Sequence, residues 1–70
     1  MIRADLEKIM KERDIKTISL IFNKNDKLGK YCYLQSGILM DYTGHRVDRK
    51  KDIWGYMIYN EDGTFIRKAF

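Results

Sequence analysis

The side chains in this chain best suited to chemistry are one cysteine, one histidine, scattered aspartates and a run of cations. A catalytic cysteine needs a base within reach. Cys32 lies in a β-forming stretch between Tyr31 and Tyr33, and the only histidine, His45, belongs to a different segment. Cys32 is therefore expected to be a small buried apolar residue. His45 stands beside Arg46 in a polar stretch. Asp41, Asp48 and Asp52 give it no recognised metal-ligand spacing, so a solvated loop histidine is expected. No catalytic residue, metal ligand or cofactor is expected, and the chain is read as non-enzymatic.

The cations and rings say more. Lys24, Lys27 and Lys30 cluster around one turn signal, and Arg46, Arg49, Lys50 and Lys51 crowd a second polar stretch. The formal charge is +4, which permits binding to acidic surfaces or nucleic acid without requiring it. One Trp, five Tyr and three Phe are many rings for 70 residues. Tyr and Trp are favoured at protein interfaces and can stack on bases, although cross-strand packing also uses them. Trp54 and Tyr56 fall on one face of their strand and, with the basic residues Lys27, Lys30, Arg46, Arg49, Lys50 and Lys51, form the candidate binding set.

The elements that must position these groups follow from hydrophobic period. Ile2, Leu6, Ile9 and Met10 mark one face of a helix over residues 2–13, with Glu7 and Lys11 paired at i, i+4 opposite. From Lys16 the period becomes two. Strands are predicted over residues 16–22, 31–34, 38–42, 53–59 and 64–69. Asn25, Asp26 and Gly29 supply the chemistry of the first turn, and Asn60-Glu61-Asp62-Gly63 reads as a hairpin turn. Gln35-Ser36-Gly37 reads as a turn or as a bulge, and residues 43–52 as a long polar loop. There is no proline to interrupt a strand. The reading is a single α+β domain, residues 1–70: one N-terminal amphipathic helix packed on a four- to five-stranded antiparallel meander. A core this small leaves stability on the order of 5 kcal/mol or less, which association could raise.

A meander puts alternate loops at one end of the sheet. The turn after the first strand and the loop after the third would then share an end. That end is basic, with residues 43–52 alone at net +2, and the hairpin bearing Glu61 and Asp62 lies opposite. The helix N-terminus would add partial positive charge at the basic end. No targeting or membrane segment is visible, and a lone cysteine suits a reducing compartment; a cytoplasmic protein with no membrane partner is expected. The functional expectation is a small non-catalytic interaction protein, a regulator or inhibitor. It would dock on a larger protein through an aromatic sheet face, basic loops or an exposed edge strand. The alternative is a nucleic-acid-binding protein using loops 24–30 and 43–52 with adjacent tyrosines. A homodimer is a further partner class.

Overall fold

A computed structural model describes residues 1–70. Helix α1 spans Arg3–Glu12 and is followed by β1 Thr17–Ile21, β2 Lys30–Gln35, β3 Ile38–Asp41, β4 Gly55–Tyr59 and β5 Phe65–Ala69. The helix forms because Leu6 and Met10, four residues apart, both reach the core, while Asp5 in the first turn suits the dipole. It ends in a Schellman arrangement: the Ile15 N–H donates to the Met10 carbonyl and the Asp14 N–H to the Lys11 carbonyl. Asp14 occupies the left-handed position there, at φ 54°.

The five strands form one antiparallel sheet in the order β3-β2-β1-β4-β5, giving the α+β architecture expected from the pattern. Consecutive strands pair within β1–β2–β3 and within β4–β5. Between these two runs, the connection from β3 carries β4 to the free side of β1. Strand direction still alternates along the chain. The β1–β2 segment and the β3–β4 connection therefore lie at the same end, with the β4–β5 turn at the other. Gln35 pairs directly with Ile38, so Ser36-Gly37 is a two-residue turn. Its φ angles of 53° and 81° are both positive, as a type I′ hairpin requires.

Register fixes the faces. Ile18, Leu20, Cys32, Leu34 and Leu39 lie under the helix, whereas Ser19, Tyr31, Tyr33 and Met57 lie on the far face. The core joins Leu6, Met10, Leu20, Cys32 and Leu39 to Val47 and Ile53. The last two come from the β3–β4 connection, Val47 from the stretch that reads as a loop and Ile53 from the expected start of the fourth strand, which begins at Gly55 instead. The first half of the connection turns tightly at Tyr42–Gly44 and runs back along the outer edge of β3. There Asp41 N–H donates to the His45 carbonyl, Val47 N–H donates to the Leu39 carbonyl, and Arg46 stands opposite Met40. Its second half crosses the helix N-terminus, where Arg3 donates to the Val47 carbonyl at 2.8 Å and the Met1 amino group meets Asp52 at 2.6 Å. On the far face the segment after β1 folds back over Met57, since a Cβ at Gly29 would stand 3.1 Å from its sulfur. No helix is long and apolar enough to cross a membrane.

Candidate functional site at the basic pole

Two stretches distant in sequence, the start of β2 and the β3–β4 connection, bring cations to the same end of the sheet. Lys30 opens β2, Arg46 follows the turn after β3, and Lys51 belongs to the crossing segment. Together with Phe22, just past β1, they line a cleft of about 270 Å³. The register puts Phe22 and Lys30 on the helix side. The Lys30 and Lys51 ammonium groups stand 5.8 and 5.7 Å from the Phe22 ring centroid, within cation–π range. A half-buried ring held between two exposed cations is a surface that can accept an acidic group and an apolar one side by side.

Two carboxylates share the cleft, Asp41 and Asp48. Asp41 Oδ1 accepts from the Thr43 hydroxyl at 2.5 Å and from the backbone N–H groups of Thr43 and His45. The Thr43 hydroxyl bond, followed by those backbone donors and the nearby His45, outweighs desolvation and holds the Asp41 carboxyl below its ordinary value. Asp48 closes its own turn by accepting from the Lys50 N–H at 2.9 Å. The Thr43 hydroxyl has one proton and gives it to Asp41. His45 Nδ1, 2.8 Å away, must then be the donor to Thr43 Oγ1, which assigns the proton to Nδ1. Those bonds organise a turn.

Cys32 is fully buried, with its sulfur directed at the Lys30 carbonyl. Burial first, and then the Asp41 charge, push its thiol up to about 11, against a smaller lowering by Lys30. The thiol stays protonated at neutral pH and serves as core. No three His, Cys, Asp or Glu side chains converge in a metal-binding group.

Of the residues singled out by sequence, the structure gathers Lys30, Arg46 and Lys51 in one cleft. Lys27, Arg49 and Lys50 lie exposed at the same end, outside the cleft lining. Trp54 and Tyr56 go elsewhere and are half-buried. The Arg67 guanidinium covers Trp54 at 5.1 Å, and Tyr56 packs against the core and against Phe70 at 5.1 Å. Tyr31 and Tyr33 form a separate ring pair on the far face, at 6.0 Å. Sequence reasoning missed Phe22 and Asp41 as cleft residues. The signal for Asp41 was present in Asp41-Tyr42-Thr43-Gly44, since Asp followed two residues later by Thr recurs at Asp62 and Thr64, where the same bond forms. The exposed apolar surface of the β4–β5 hairpin, with Ile58, Tyr59, Phe65 and Ile66 all open to solvent, was also not anticipated. Compared with protein-family models, curated proteins and solved structures, the chain matches none.

Proposed function

We propose that this chain is a small non-catalytic interaction protein, a regulator or inhibitor that docks on a larger protein through its basic pole. The observation that carries the reading is the convergence of Lys30, from β2, and Lys51, from the β3–β4 connection, on the Phe22 ring, with Arg46 lining the same cleft. The mixed charge of the cleft supports one partner class over the other. A phosphodiester backbone presents uniform negative charge and rewards a uniformly cationic groove. Here Asp41 and Asp48 stand among the cations, and the Thr43 bond favours the ionised form of Asp41. Alternating signs around a ring fit a polypeptide segment carrying carboxylates, hydrogen-bond donors and an apolar side chain, with charge complementarity setting the association rate.

The test is a backbone-amide NMR titration of the protein with a poly-glutamate peptide, and separately with single- and double-stranded oligonucleotides. Each titration is run at roughly 50 and 200 mM salt. The expected result is peptide-induced shifts at Phe22, Lys30 and residues 43–51. The double substitution Arg46→Glu, Lys51→Glu should weaken that binding roughly tenfold or more. Tighter oligonucleotide binding that falls steeply with salt would replace the protein-docking reading with the nucleic-acid one. Shifts from neither probe at the pole would reject both.

A further inference from the structure

The two edges of the sheet are finished differently, and the difference assigns a partner to one of them. At β3 the outer edge is occupied by residues 45–47 of the same chain. At β5 nothing lies outside. The bonds from Asn60 N–H to the Thr64 carbonyl and from Phe70 N–H to the Trp54 carbonyl show that even-numbered residues of β5 face β4. Ladder alternation then points the N–H and C=O groups of Phe65, Arg67 and Ala69 outward, where they meet no protein partner. All five β5 residues are exposed, and Ile58, Tyr59, Phe65 and Ile66 are each at least 40 % accessible. The hairpin is thus apolar on both faces and open along its edge, the combination that templates strand pairing.

We propose that β5 pairs antiparallel with β5 of a second copy of this chain, about a two-fold axis at Ile66. Outward-facing residues must meet outward-facing residues, which places the axis on a residue and not between two; of these positions Ile66, Arg67 and Lys68 keep at least three residues of β5 paired. An axis at Arg67 or at Lys68 would oppose two like cations, a destabilising pair. An axis at Ile66 sets Ile66 against the partner's Ile66 and Phe65 against the partner's Arg67. It also sets Thr64 against the partner's Lys68, with Lys68 diagonal to the partner's Asp62. Within the hairpin the charges are already segregated, Glu61 and Asp62 at the turn and Arg67 and Lys68 along the strand, so antiparallel pairing joins opposite signs twice. The charge that would otherwise guard the edge is diverted: Arg67 lies over Trp54 and donates to the Lys24 carbonyl at 2.6 Å. The two-fold consumes the only open edge, because β3 is covered, and assembly closes at two chains.

Sedimentation of the intact protein from roughly 5 to 500 µM tests this by mass action. The mass is expected to move from one chain to two. Ile66→Lys and Ile66→Glu should each remain one chain across that range, and an equimolar mixture should regain the two-chain mass by pairing opposite charges on the axis. Lys68→Glu should weaken association several-fold, and because that side chain is exposed it decides the matter if an Ile66 variant loses its circular dichroism spectrum. Wild-type protein that stays one chain throughout overturns the proposal. So does a dimer indifferent to the Ile66 and Lys68 substitutions, which would place the contact elsewhere. The readout uses no polyanion and no residue of the cleft, so this proposal and the docking function at the basic pole fail independently.

Discussion

Asp41 shows how one side chain can serve a turn and a surface together. Its Oδ1 takes the Thr43 hydroxyl and two backbone N–H groups, and those donors favour the carboxylate over the acid. Asp62 repeats the arrangement with Thr64 in the β4–β5 turn, and its carboxyl is likewise lowered. A carboxyl whose folded pKa is depressed stabilises the fold above its ordinary value, 3.8 here. The contribution disappears as pH falls through the lowered pKa. Replacing Thr43 with Val removes the largest cause of the Asp41 shift. Its titration, followed by carboxyl-carbon NMR, should move up toward the ordinary value while that of Asp62 stays in place. An unmoved Asp41 would mean that the backbone donors alone hold the carboxylate. At this scale the sequence was half legible. The buried, inert character of Cys32 follows from its strand and its distance from His45, whereas the role of Asp41 depends on a turn three residues long that composition alone reads as loop.

Among the elements, the sequence pattern identified the helix and all five strands to within a residue or two: the helix and β1–β4 each bury a face and repeat accordingly, whereas β5, exposed throughout, was marked by the hairpin turn before it. It failed over residues 43–52, where Val47 supplies a core contact singly, without a repeat that a period could detect, and it began the fourth strand two residues early, at Ile53. Nor does period carry strand order: β4 beside β1 is decided by the crossing segment, whose anchors, Met1 to Asp52 and Arg3 to the Val47 carbonyl, connect residues more than 40 apart. Gly55 is the element-scale consequence of that order, since it opens β4 and pairs with Ile21 of β1 on one side and Ala69 of β5 on the other. A Cβ there would collide with the Lys68 carbonyl oxygen and stand 2.9 Å from its carbonyl carbon and 3.0 Å from the Ala69 Cα, all of it β5 backbone. Gly55→Ala must push β5 away, and urea unfolding should show a loss of about 2–3 kcal/mol, the scale of overpacking. For a fold holding on the order of 5 kcal/mol, that is close to unfolding. A loss below about 0.5 kcal/mol, the size of an ordinary surface change, would mean that β5 is held more loosely than its register implies.

The whole molecule is a sheet with unlike ends, and the charge separation survived the crossover because strand directions still alternate. That is why the basic pole was legible in the sequence while the residues of its cleft were not: loop charge follows from strand count, and convergence requires the crossing segment. Collecting cations at one end has an energetic consequence that can be measured. Lys30, Arg46 and Lys51 repel one another across the cleft, and Asp41 and Asp48 offset only part of that repulsion. Salt screens exposed charges over about 8–10 Å at physiological strength, so raising it should relieve the repulsion. The melting temperature of the wild-type protein should therefore rise, by about 2 °C between low and physiological salt for a domain of this size. Lys51→Gln should melt higher than wild type at low salt and converge with it at high salt, since it removes one of the three converging charges. The β4–β5 turn provides the internal contrast. Glu61→Gln, at the other end of the molecule, should leave the salt slope of the wild type unchanged. A melting temperature that falls with salt, or a Lys51→Gln protein less stable than wild type at low salt, would mean that the ring contact with Phe22 and the two carboxylates outweigh the repulsion. The pole would then be a stabilised surface, with no strain left for a bound acidic segment to release.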